Sequence, residues 1–239
     1  MPTPTPTAGP LVRRSVHAGA VLWILGVIVF VAGMAVAQLG WTNPGYTLTQ
    51  NVISDLGAVH CGPYSGRDIC SPLNAVFNGA VIAMGVLLLA GLYLVASALP
   101  RGRGGTWGIV LFALTGVGAI GVGLNPEDVR IDLHLLSAAL AFLGGNLALL
   151  AFGVAMREPG RWRRWSSVTI GLGVIGLAAF GLIVARAYEW GGLFAAWGEG
   201  GIERTIVVPL LIWAVLAGVL LLRTREYAPR GVGSSARST

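Results

Sequence analysis

Charge is what this sequence has least of. Only 11% of its 239 residues are charged, against about 25% in an ordinary soluble domain. With 55% hydrophobic residues and a mean hydropathy of +0.75, most of the chain must face lipid or other apolar segments. Lysine is absent, so all 16 basic residues are arginine. The net charge of +6 does not point to a nucleic-acid partner, because the arginines sit in short loops between apolar runs and form no basic stripe. No barrel-type alternation of apolar and polar residues is found, which leaves helices as the spanning elements. No internal repeat and no second domain is evident.

What is present is a set of six apolar runs, at residues 18–39, 72–99, 106–124, 135–156, 166–187 and 205–222. A helix of about 20 apolar residues crosses a bilayer core of about 30 Å. The predicted fold class is therefore all-α, a polytopic bundle of six transmembrane helices over residues 18–222. Residues 1–17, with their Pro-Thr repeats, and residues 223–239, rich in Gly, Ser and Arg, read as disordered tails. Arg13-Arg14 before an apolar run ending near Ala35-Val36-Ala37 resembles a signal peptide. The run is longer than the usual apolar region of about 7–15 residues, so an uncleaved first helix is expected.

The arginines orient the bundle. Arg13, Arg14, Arg101, Arg103, Arg157, Arg161, Arg163, Arg164, Arg223, Arg225, Arg230 and Arg237 fall on one side, and only Arg67, Arg130, Arg186 and Arg204 on the other. The positive-inside rule then puts both termini inside. Acidic residues divide the opposite way, with only Glu158 and Glu226 on the arginine-rich side. Six of the eight tryptophans fall near span ends, as an interfacial belt would. Small residues mark packing faces: Ser137, Ala141 and Gly145 on the fourth span, and Gly116, Ala119 and Gly123 on the third.

Polar residues gather at the outer end. Cys61 and Cys70 are an even, local pair in a loop facing an oxidising compartment, which favours a disulfide over two free thiols. Ser71, Asn74 and Asn78 share a face of the second span. Asn78 serves either as interhelical glue or in ligand binding. His134 opens the fourth span close to Glu127, Asp128 and Asp132. Arg186 and Arg204, near the apolar boundary, are expected to pair with carboxylates, Asp55, Glu189 and Glu203 being the candidates. Glu203 at a helix N-terminus suits the helix dipole, whereas Arg204 opposes it and needs a specific partner or an anion.

Ser54-Asp55-Leu56-Gly57, Asn78, Asn125-Pro126-Glu127-Asp128, His134, Gly201-Ile202-Glu203-Arg204 and Trp213 occur in that order over nearly the whole chain. In this the sequence resembles the bacterial and archaeal domain-of-unknown-function 998 membrane proteins. The resemblance implies a six-helix, multi-pass protein of the bacterial cytoplasmic membrane whose family marks lie on the outer side. It implies no activity.

Three functional classes are compatible with these residues. The first is an outward-facing polar pocket for a lipid or other amphiphile, formed by Asp55, His134, Asn78, Glu127, Glu203, Arg204 and Arg186, with membrane lipids as partners. The second is an intramembrane hydrolase with His134 as base, Asp55 orienting it, and Ser54 or Ser137 as nucleophile. A metal-dependent form would need His60, His134 and Asp55 together, since His17 lies at the other membrane face. The third, a small-molecule transporter, is disfavoured by the lack of ionisable residues in mid-span. The residues name no cofactor.

Overall fold

The computed structural model describes residues 10–41, 44–187 and 197–223. Six helices are long and apolar enough to cross a membrane. They are α1 (Pro10–Gly40), α2 (Asn74–Val95), α3 (Gly102–Leu124), α4 (Ile131–Ala155), α5 (Ser166–Ala187) and α6 (Gly198–Arg223). Two boundaries differ most from the sequence reading. α1 starts at Pro10 rather than after residue 17. Hydropathy marks only the part of a helix that lipid covers, whereas here the segment before it packs on α2: Val16 is fully buried, and the Ser15 hydroxyl donates to the Leu94 carbonyl at 3.2 Å. α6 begins about two turns earlier than its apolar run, because Gly198 to Arg204 dock against the outer loop.

Successive helices pack as neighbours, and α6 returns against α1 while also touching α4. This closes the six into a ring around a shared core. The two tryptophans away from span ends, Trp23 and Trp213, stack there with Phe112 and Phe152; the Phe152 and Trp213 rings lie parallel at 5.2 Å. Trp23 satisfies its indole N–H on the Leu88 carbonyl at 3.1 Å, as a buried indole must.

Small residues set the helix spacing, and they do so on both sides of α3. A side chain at Gly118 would meet the Ala141 nitrogen at 2.4 Å, and one at Gly121 the Ser137 hydroxyl at 2.3 Å. Gly116 and Gly123 instead face α2, at Leu89 and at the Asn78 carbonyl. Gly145 faces Leu210 of α6.

The outer loop between α1 and α2 is built, not loose. It holds a short 3-10 turn, Ser54–Gly57, and an antiparallel hairpin of β1 (Gly62–Tyr64) with β2 (Arg67–Ile69). Ser65 and Gly66 both have positive φ, 48° and 77°, the conformation of a tight hairpin turn. The Cys61–Cys70 disulfide is formed and closes the hairpin at its base. Closing so short a loop contributes about 2–3 kcal/mol.

Candidate functional site

The hairpin carries Arg67 back over the helix mouths, where it meets three carboxylates. Its Nε and Nη2 donate to Asp55 at 3.0 and 2.9 Å. Its Nη1 reaches Glu199 at 2.7 Å, and Glu127 Oε1 lies 3.9 Å from Nη2. Asp55 is fully buried and also accepts from the Asn51 amide at 3.0 Å and the Val52 N–H at 3.1 Å. Burial opposes the charge of Arg67, but Asp55 and its neighbours outweigh that and raise its pKa.

Asp55 therefore does not orient His134, contrary to the expected Ser–His–Asp arrangement. The hairpin delivers a permanent cation to Asp55, and a different group holds the histidine. His134 Nδ1 lies 2.8 Å from the Asn125 carbonyl. A carbonyl only accepts, so Nδ1 carries a proton and Nε2 faces Ser54 Oγ at 3.1 Å. The carboxylate at Ser54 is Glu203, whose Oε1 accepts from Oγ at 3.2 Å while its Oε2 accepts the Ile53 N–H. Ser54 thus bridges His134 of α4 and Glu203 of α6. When all these contacts are hydrogen bonds, His134 Nε2 and Glu203 share a single exchangeable proton through the serine hydroxyl.

The other expected site residues fall as follows. Asn78 donates to the Gly57 carbonyl at 2.9 Å and fastens the 3-10 turn to α2. Arg204 does not pair with a carboxylate: it donates to the Leu48, Asn51 and Gly200 carbonyls at 2.8–2.9 Å and to the Tyr46 hydroxyl. Those carbonyls come within reach because α6 starts with glycines; a side chain at Gly200 would sit 2.1 Å from the Asn51 carbonyl oxygen. The Arg186 side chain and Glu189 lie outside the described residues. His60 projects outward and pairs with Asp128 at 2.9 Å. Asp128 is partly buried, which would raise its pKa, but backbone N–H donors at His60 and Val59 outweigh that and lower it. His60, His134 and Asp55 do not converge as a metal set, since Asp128 holds the first, Asn125 and Ser54 the second, and Arg67 the third. Among the described residues no three His, Cys, Asp or Glu side chains gather so as to hold a metal ion.

Glu127 titrates far from the usual carboxylate range. It is 7% exposed, and its Oε1 has no hydrogen-bond partner. Burial first, and the adjoining Asp55 carboxylate second, push it up to about 9. The folded protein then binds a proton that the unfolded chain releases. Stability should fall as pH rises between about 4.5 and about 9. Glu127→Gln is expected to flatten that fall. In detergent, the parent's Tm should drop by on the order of 5 °C more than the variant's from pH 5 to pH 9. Parallel Tm profiles would remove Glu127 as the cause.

Beneath the polar layer lies a core cavity of about 80 Å³. Phe77, Val81, Met84, Phe112, Ala138 and Leu210 are among the residues of its apolar wall. Among the described residues the only ionisable group on it is Glu203, beside Ser54 at the outer end. The polar residues thus form a buried lid over an apolar chamber, rather than the polar pocket open to the outside that the sequence suggested.

Arg67, Asn51, Tyr46, Glu199 and the Asn125 carbonyl were not singled out from sequence. Arg67 had one available signal: it is the lone arginine between the two cysteines, on the side where carboxylates are in excess.

Six apolar helices closed over an internal chamber, with a disulfide-pinned polar lid, define an integral multi-pass membrane protein. The chain belongs to the family described as protein of unknown function (DUF998), whose profile matches residues 24–220 and so takes in the lid, the chamber and part of every helix. No curated protein and no solved structure matches it.

Proposed function

We propose that the protein binds a membrane amphiphile, with the apolar end in the core cavity and the polar end against Ser54 and Glu203. The observation that carries this reading is the division of the cavity wall: it is apolar apart from Thr115, whose hydroxyl is turned to the Leu111 carbonyl of its own helix, and one end, where a serine and a carboxylate meet. A chamber so lined favours hydrocarbon over water. At about 80 Å³ it is smaller than the roughly 150 Å³ apolar cavity that admits benzene, so a short or tapered apolar group fits and a longer chain enters only as helices part. Polar partners for the head are Ser54, His134 and Glu203.

Ala138 lines the chamber, and leucine there would fill most of it. Native mass spectrometry of protein purified in mild detergent should show a co-purifying amphiphile on the parent. Ala138→Leu should carry at least tenfold less while keeping its helicity and its disulfide. Equal occupancy in both would overturn the chamber as the site.

A second reading rests on a separate distance, the 3.1 Å from Ser54 Oγ to His134 Nε2, with Nδ1 already oriented by a carbonyl. In an acyl ester substrate, Oγ would attack the ester carbonyl while Nε2 takes the serine proton. The alkoxy oxygen would leave with that proton as an alcohol. Water, giving a proton to the same nitrogen, would then release the carboxylic acid and restore Ser54. A fluorophosphonate should label the parent, label His134→Gln slowly and leave Ser54→Ala unlabelled. An unlabelled parent that still carries its amphiphile would sink this reading and leave the first intact.

A further inference from the structure

The opposite end of the bundle holds a different kind of hollow. A cavity of about 560 Å³ lies between the α2–α3 turn and the α4–α5 loop. Its charged lining is Arg101, Arg103 and Arg161 against a single Glu158. Leu99, Met156 and Trp162 supply apolar wall. We infer that this hollow binds the phosphate of an anionic phospholipid headgroup from the leaflet on the arginine-rich side.

Three observations carry the inference, none of which depends on the chamber at the other end. First, the arginines stand where helix electrostatics disfavours them. Arg101 immediately precedes α3 and Arg103 is in its first turn; that turn has no acidic residue, and no side chain caps it. Cations at a helix N-terminus face the positive end of the dipole. An anion in the hollow reverses that cost, because the helix end and the guanidinium groups then share it. The positive-inside rule explains why arginines lie at this end. It does not explain why three of them line one cavity at a helix N-terminus.

Second, the hollow is held in shape. Trp162 is buried and donates its indole N–H to the Ala98 carbonyl at 3.0 Å, joining the α4–α5 loop to the end of α2. Arg161 also lines the neighbouring hollow, together with Arg163 and Arg164 at the approach to α5. The positive surface therefore continues beyond one phosphate.

Third, the depth is that of lipid headgroups. Trp107, one turn into α3, is 63% exposed on the bundle surface. An exposed tryptophan just inside a span end marks the interfacial layer. Basic pockets between spans at this level select anionic headgroups.

The test uses the full chain in neutral detergent, titrated with phosphatidylglycerol or phosphatidylcholine and read by native mass spectrometry. Phosphatidylglycerol should bind at least tenfold more tightly. The variant Arg101→Gln/Arg103→Gln should bring it to within about threefold of phosphatidylcholine, and Glu158→Gln should strengthen it severalfold. Equal binding of the two lipids by the parent would overturn the proposal, as would unchanged selectivity in the arginine variant. Displacement of phosphatidylglycerol by millimolar inorganic phosphate would overturn the lipid as the source of the phosphate. Should the arginine variant lose its helical circular dichroism, Glu158→Gln decides alone, and no gain over the parent overturns the site.

Discussion

Arg67→Met is expected to cost about 3–5 kcal/mol of stability, the usual penalty for removing one partner from a buried ion pair. Asp55 is fully buried, and the side chain of Arg67 is 14% exposed. Without the guanidinium, Asp55 keeps the Asn51 amide, the Val52 N–H and the neighbouring Glu127 carboxyl, and no cation. The raised neighbour Glu127 would then lack the cation that moderates it. At about 2–4 °C per kcal/mol for a chain of this size, Tm in detergent should fall by roughly 10 °C. The hairpin should loosen as well, so that Cys61–Cys70 reduces faster under mild thiol. The double variant Arg67→Met/Asp55→Asn should recover part of the loss, because a neutral amide no longer strands a charge. A loss under about 1 kcal/mol for the single variant would show that the pair is held in water and not in the lid.

Gly118→Val is the second large effect. Any side chain at Gly118 runs into the Ala141 nitrogen and the Ser137 carbonyl oxygen, at 2.4 and 2.6 Å. Both are backbone atoms, so relief requires α3 and α4 to separate. Overpacking of this kind costs about 3 kcal/mol or more when no rotamer change relieves it. The displacement would also reach the lid, because α3 leads directly into Asn125, whose carbonyl holds His134 of α4. Loss of the co-purifying amphiphile should therefore accompany the drop in Tm. Gly79→Ala is the control: a Cβ there meets nothing within 4 Å. It should be neutral or slightly stabilising, by up to about 1 kcal/mol through helix propensity. Similar losses in both variants would point to a general intolerance of side chains, not to the α3–α4 approach.

The small-residue faces show how far pattern reading carries. Of the α4 stripe Ser137, Ala141 and Gly145, the first two pack on α3, whereas Gly145 faces Leu210 of α6. The α3 residues picked by the same rule, Gly116 and Gly123, pack on α2 instead, while Gly118 and Gly121 meet α4. A helix in a ring has two neighbours, and glycines on both flanks look alike in sequence. The tail boundary at residue 17 moved for a related reason. Hydropathy reports what lipid covers, and Val16 is covered by protein.

By itself the sequence determined the six apolar helices and the gathering of Asp55, Glu127, His134 and Glu203 at one end of them. These follow from solvation. Hydrocarbon demands about 20 apolar residues with every backbone group bonded internally. The cysteine pair was legible on the same footing, through its spacing and its side of the membrane. What only the tertiary structure decided was the pairing of charges. Asp55 was expected at His134 and went to Arg67; Arg204 was expected on a carboxylate and went to carbonyls and Tyr46. Carboxylates and guanidiniums attract one another without regard to sequence distance. Which pair forms depends on where the backbone sets them, and here a hairpin turn at Ser65-Gly66 and the glycines opening α6 made that choice. The apolar chamber under the lid was hidden for the same reason: a cavity belongs to the fit between helices and to no single run of residues.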